Sequence, residues 1–235
     1  MLPDVSPQPK TQRIVVVGDG ETAELACEYF THDSACEVVA FSVEASYLTK
    51  GRLFDLPVVP FEELETLYPP SEYALFVAIS YTKLNRVRAR LYGLAKSRGY
   101  RFVSYVSSRA FVWRNVKIGE NCFILENNVL QYSVTIGNNV VLWSGNHIGH
   151  QTIVRDHCFV SSHVVISGYC EVGEYCFLGV NSCVANNVKI ASNCLIGMGA
   201  VINRDTEEGR VYRGSRAEAS GADSFTAFGL TPPDR

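Results

Sequence analysis

The chain has no excess of positive charge. Lys and Arg number 21 against 24 Asp and Glu, a net of −3. A nucleic-acid binder, whose affinity rests on neutralising phosphates, is therefore not expected. It also has no apolar run near the roughly 18 residues of a membrane span. The first residues, MLPDVSPQPKTQR, lack the basic-then-apolar order of a secretion signal. These absences lead to the expectation of a soluble cytoplasmic protein with no membrane span. Global disorder is excluded, because 47% of the residues are hydrophobic. The 235 residues allow one large domain or two small ones. Eight cysteines pose a disulfide or metal question.

The second half is a repeat. Every sixth residue from Val106 to Ile202 is Val, Ile or Leu, seventeen positions without an insertion. Glycine often follows, as at Gly119, Gly137, Gly149, Gly173, Gly179 and Gly197. The fourth residue after each is mostly small or β-branched, with Asn128 and Asn146 as polar exceptions. A period of six fits neither an α-helix nor an exposed strand, and an ordinary β-sandwich would alternate with period two. It fits a parallel β-helix of hexapeptide repeats. Three hexads close one triangular coil, so the stem has between five and six coils and is roughly 27 Å long at about 4.8 Å per coil.

This repeat answers the cysteine question. Cys122, Cys158, Cys170, Cys176 and Cys194 fall at the small inward position, where a thiol acts as a compact hydrophobe. Cys183 is out of that register, and Cys27 and Cys36 belong to the first half. A disulfide set is not expected.

The first half alternates strands and helices. Apolar runs at 13–17, 38–42 and 74–80 and a last strand at 102–106 are separated by helices at 21–30, near 61–67 and over 82–97. This predicts an α/β unit with a parallel sheet, whose ligands bind at the carboxyl ends of the strands. The Gly18-Asp19-Gly20 turn before a helix is a natural phosphate site. The looser glycine fingerprint is met with Ala23, but an acid at the end of the second strand is not obvious, so a redox dinucleotide is not expected.

The hexad signature resembles the left-handed parallel β-helix of hexapeptide-repeat acyltransferases, and the left hand is implied by that resemblance alone. A small α/β unit followed by such a stem resembles bacterial N-acetyltransferases acting on nucleotide-linked 4-aminosugars and related sialic-acid O-acetyltransferases. The expected organisation is a flexible N-terminus (1–11), a Rossmann-like nucleotide-sugar-binding domain (12–105), a left-handed β-helix acyltransferase domain (106–217) and a C-terminal tail (218–235). The resemblance implies acetyl-CoA as co-substrate, a nucleotide-linked aminosugar as acceptor and a homotrimer. It places Gly18, Asp19 and Gly20 at the phosphates or sugar, Ser42 near the nucleoside, and Ala78, Ile79, Lys83 and Asn85 on the other side. Glu21 and Ser42 stand where the family often has a histidine and an acid.

Four of five histidines fall between His147 and His163. By hexad position, His150 faces outward on a strand, His157 marks a solvated corner, His163 has room beside it for a cofactor, and His147 belongs to a packed subunit interface. The segment Asn146-His147-Ile148-Gly149-His150-Gln151 resembles the family's catalytic segment, matching at His150. Acyl transfer to an amine needs a base, and an imidazole titrates in the right range. His150 is thus the expected general base, with Gln151 and Asn146 orienting it; Gln151 replaces the carboxylate that is common there. The resemblance assigns acetyl-CoA to His163, Gly168, Val180, Asn181, Gly197, Gly199 and Ala200. No metal is expected, since the histidine gaps do not suit the zinc set of the γ-class carbonic anhydrases. Transfer to a sugar hydroxyl and non-catalytic nucleotide-sugar binding are the alternatives.

Overall fold

A computed structural model describes residues 9–231. Of the expected flexible N-terminus (1–11) and C-terminal tail (218–235), residues 1–8 and 232–235 lie outside the described residues. The first unit contains β1 (Gln12–Val17), α1 (Glu21–His32), β2 (Cys36–Val43), β3 (Arg52–Leu53), β4 (Leu56–Pro60), α2 (Leu64–Leu67), β5 (Ala74–Val77) and α3 (Arg86–Ser97). The sheet order is β3-β4-β2-β1-β5. The pairs β4-β2, β2-β1 and β1-β5 are parallel, as the alternating pattern predicts. The edge strand β3 departs from that pattern and runs antiparallel to β4. A two-residue turn through Phe54 and Asp55, both at positive φ, folds it back.

Period-two alternation sends β1 into two cores. Ile14 and Val16 join Ala26, Phe30 and Phe76 on one face, and Val15 and Val17 join Leu75, Leu91 and Ala95 on the other. The helix expected from residue 82 begins at Arg86. Lys83, Leu84 and Asn85 before it all hold positive φ, which costs a branched residue such as Leu84 roughly 1–2 kcal/mol. The strand expected at 102–106 divides. Phe102 bridges Leu75, whereas Tyr105–Val106 is already the first rung of the stem.

The stem is a left-handed parallel β-helix: the hexads predict the coil, and the family resemblance implies its hand. Each hexad gives a two-residue strand, and strands eighteen residues apart pair in parallel, as His147 does with Val129 and Val165. The aliphatic positions from Ile124 to Ile202 are all buried. The inward cysteines Cys122, Cys158, Cys170, Cys176 and Cys194 are free and buried beside them. The corner lies three residues after each aliphatic residue. From Asn121 to Gly199 every sixth residue has positive φ. Asn and His are among the side chains that tolerate this conformation best, so His157 and His163 occupy ordinary corner positions. The glycines that directly follow the aliphatic residues serve another need. A Cβ on Gly149 would lie 2.5 Å from the carbonyl carbon of Ser167 in the next coil.

The prism has three different faces. One, built on Tyr105, Phe123, Val141, Phe159 and Phe177, is covered by the α/β unit and shares its core with Phe30 and Phe76. Ring centroids of Phe30 and Phe76 are 5.0 Å apart, and those of Phe76 and Phe123 5.3 Å. The second face carries Lys117, Glu171 and Lys189, with Arg155 beside it; Glu171 pairs with Arg155 and with Lys189. The third presents Phe111, Val129, His147, Val165, Cys183 and Val201, and none of the described residues covers it: Val201 is 72% exposed and Phe111 52%.

The two units are joined by polar groups at one column of corners. Asn121 accepts from the Val77 amide at 2.7 Å and donates to Asn139. Asn139 donates to Nδ1 of His157 at 2.9 Å, and the ring of His157 lies on Tyr175 at 4.7 Å. Arg86 stacks on Tyr175 and reaches Asn193. At the centre Arg88, with no exposed surface, donates to the carbonyls of Ile79, Ser80, Asn139, His157 and Cys158. Burial pushes its guanidinium down to about 10, so it remains charged at neutral pH. His157 is therefore part of the seam between the units, not the solvated corner that its hexad position suggested.

Two outcomes follow for stability. Arg88→Ala removes the guanidinium hydrogen bonds from five carbonyls and is expected to cost about 3 kcal/mol, measured by urea unfolding. His157 is held below the ordinary imidazole value of 6.5, chiefly by burial. A base depressed in the folded state gives stability that is full above its unfolded value and is lost as pH falls through it. Unfolding free energy is thus expected to fall between about pH 7 and pH 5, and His157→Asn is expected to flatten that dependence.

Candidate active site

His150 does not lie on a strand, contrary to expectation. It is the first residue of a corner, directly before Gln151 at φ 58°. The corner joins the uncovered apolar face to the charged face. The ring is half-buried and held from three sides. Below it, Oε1 of Gln131 accepts from the His150 backbone N–H at 3.0 Å and lies 3.3 Å from Nδ1. Above it, the ring occupies the space that a side chain at residue 168 would fill: a Cβ on Gly168 would lie 2.5 Å from Cε1 and 2.6 Å from Nε2. Tyr169 meets it edge-on at 4.9 Å. Gly168 is itself fixed by its N–H, which donates to Oδ1 of Asn186 at 2.8 Å. Gly168, expected to receive cofactor, thus gives the imidazole its room.

The expected orienting residues are elsewhere. Gln151 is an exposed corner residue, and the side chain at Nδ1 is that of Gln131. Asn146 points inward, donating to the Trp143 carbonyl at 2.5 Å and accepting from the Val164 amide at 2.8 Å. It braces the backbone of its coil and does not hold the ring. Stacking by eighteen could not have revealed Gln131, since it is nineteen residues before His150. Gly149 stands directly above Gln131 in the register and has no side chain to hinder its bend toward the ring.

The expected cofactor residues divide as well. His163 sits on Gly145, where a Cβ would lie 2.6 Å from Nδ1. His163, Asn181 and Gly199 form one exposed corner column, with Val180 beside it. This column flanks the uncovered apolar face on the side away from His150. A single chain therefore does not bring His150 and His163 together. Ala200 points into the core and is 3% exposed, and Gly197, partly exposed, packs beneath Tyr212 and Arg213.

At the carboxyl ends of β1, β2 and β5 the structure gathers Gly18, Ser42 and Ala78. The Gly18 N–H donates to the Ser42 carbonyl at 2.7 Å, and a Cβ on Gly18 would lie 2.7 Å from the Ala78 carbonyl oxygen. Gly18 thus holds strands close, while Gly20 caps α1 with open space above it. Among the described residues the buried Ser42 hydroxyl has no hydrogen-bond partner. Lys50, which the sequence pattern did not single out, donates to the Asp19 carbonyl at 2.7 Å and sets an ammonium group beside this turn. Glu44 is held by both nitrogens of Arg90, at 2.9 and 2.7 Å, so the strand-end acid is present but paired. That pairing holds its carboxyl below the usual range. Ile79 and Lys83 flank Tyr81, which rests on Phe159 and Phe177. Asn85 leaves this group: it is buried and donates to the Cys176 carbonyl at 3.1 Å, so it belongs to the seam.

The stem sequence agrees with this geometry. Residues 115–150, 133–168 and 169–204 each match the bacterial transferase hexapeptide family of six repeats. The stem is an array of hexapeptide repeats. No curated protein matches the chain. Among solved structures, one similar fold is a histidine-to-asparagine variant of perosamine N-acetyltransferase from Caulobacter crescentus, in complex with CoA and GDP-perosamine. It is 24% identical, with a TM-score of 0.78 over 92% of this chain and 100% of that one. Another is the acetyltransferase domain of PglB from Neisseria gonorrhoeae, at 20% identity and TM-score 0.75 over 87% and 97%. WeeI from Acinetobacter baumannii follows at 18% and 0.58 over 86% and 96%. At these identities the likeness is one of fold, and it extends over both units.

Gly168→Ala should force the imidazole out of its place while the coil still folds. A crystal structure would show the ring displaced, with a thermal midpoint within about 3 °C of the parent.

Proposed function

We propose that this protein is an N-acetyltransferase that moves the acetyl group of acetyl-CoA to the amine of a nucleotide-linked amino-dideoxy sugar, such as a 4-amino-4,6-dideoxyhexose, in surface-glycan synthesis in the cytoplasm. The observation that carries this reading is the half-buried His150 imidazole at a corner beside an uncovered apolar face of a hexapeptide stem. In this reading the α/β unit holds the nucleotide sugar at Gly18, Asp19, Gly20, Ser42, Ala78 and Ile79. Three supports are the open N-terminus of α1, the unpartnered Ser42 hydroxyl and the ammonium of Lys50.

Acetyl-CoA supplies the acetyl group as a thioester. His150 takes the proton from the sugar amine as nitrogen forms its bond to the acetyl carbon. The carbon–sulfur bond then breaks, and the proton passes to the departing thiolate. The column of His163, Val180, Asn181 and Gly199 offers small and exposed groups along which a pantetheine arm would lie. Within one chain this column and His150 stand on opposite sides of the apolar face. Pairing that face with those of two further copies in a C3 homotrimer buries Phe111, Val165 and Val201. It also sets the His150 corner of one copy beside the His163 corner of the next.

Thiol release from acetyl-CoA is to be followed with GDP-, UDP- and dTDP-linked amino sugars and with hydroxyl-only counterparts. Turnover with an amino sugar and a loss of about 10²- to 10⁴-fold in His150→Ala is the expected result. Turnover confined to hydroxyl sugars would replace the acceptor, and nucleotide-sugar binding without turnover would overturn the reading.

A further inference from the structure

We propose that Gln131 is the positioning residue for His150, fixing its imidazole as the Nδ1–H tautomer through a neutral amide. This rests on the reading of His150 as the base. Oε1 of Gln131 accepts from the His150 backbone N–H at 3.0 Å. A backbone N–H can only donate, so the atom facing it is the amide oxygen and not the amide nitrogen. The same oxygen lies 3.3 Å from Nδ1. An oxygen without a proton can only accept, so Nδ1 carries the hydrogen and Nε2 keeps its lone pair. One side chain therefore locks the backbone of the corner, the ring angle and the tautomer together.

The placement is built by three local features. Gly149, in register above Gln131, has no side chain to block the bend. Gly168 leaves the volume into which the ring extends. Tyr169 closes the edge at 4.9 Å. The groups meeting the ring in these interactions are an amide, a glycine backbone and a phenol, none charged at neutral pH. Among the described residues no carboxylate oxygen lies within 4.0 Å of its ring nitrogens. The base is thus oriented without the charge assistance that a carboxylate partner gives: among the described residues no carboxylate pairs with its ring.

The test uses the full-length protein labelled with ¹⁵N in histidine, and needs no substrate. The His150 signals are those missing from His150→Ala. At pH 8 the ring is expected as the Nδ1–H form. Gln131→Met, which keeps the length and removes the acceptor, should move it to the Nε2–H form favoured by free histidine. Gln131→Glu keeps the accepting oxygen and adds a charge, so it should retain the tautomer and raise the titration midpoint of His150 by about one pH unit. In the transfer assay Gln131→Met should lower kcat about tenfold with KM for acetyl-CoA unchanged. A wild-type ring protonated on Nε2, or a tautomer unmoved in Gln131→Met, would overturn the proposal even with His150→Ala inactive. An active His150→Ala would instead remove the base, while the tautomer spectra would still judge Gln131.

Discussion

The backbone of the stem returns above itself every eighteen residues, and the rest of the molecule is arranged around that return. Each coil hands its N–H groups to the carbonyls of the next, as Phe123 does to Val140, Val141 to Cys158 and Phe159 to Cys176. Closing a triangle in eighteen residues requires three sharp corners, and each corner requires one residue at positive φ. The constraint explains why Asn recurs at corners and why close-approach glycines follow the aliphatic residues. It also explains why side chains eighteen residues apart become neighbours. His150 acquires its place this way, standing on a corner with a glycine one coil above it.

The same geometry divides the surface into three faces with separate duties. Aromatic residues on one face complete the core of the α/β unit, so the two units share buried surface and do not merely touch. Buried apolar area supplies most of that attachment, and the corner column supplies its register. Arg88 is central to the latter. Among the described residues it has no carboxylate partner; backbone carbonyls from both units take its hydrogen bonds. A charge satisfied in that way tolerates little displacement, which fixes the sheet's carboxyl ends relative to the stem.

His150 shows how far a repeat can be read. Its outward placement and its glycine neighbour were visible from the period of six and the coil of eighteen. Its partner was not. The hydrogen bond comes from Gln131 by a diagonal that skips the register, and depends on how a flexible side chain bends past Gly149. Likewise the family resemblance implied Asn85 as a ligand residue, yet the left-handed run from Lys83 turns it into the seam.

By itself the sequence determined the coil, its inward aliphatic ladder, the reduced inward cysteines and the alternating unit before it, because period and side-chain size encode them directly. It also marked His150 and the glycine turn at Gly18–Gly20 as places for chemistry. Only the tertiary structure decided which face of the stem is covered, which histidine belongs to the seam and which residue holds the imidazole. Those outcomes depend on packing between segments far apart in the chain, where a hydrogen bond or a missing Cβ selects among residues that the pattern alone leaves equivalent.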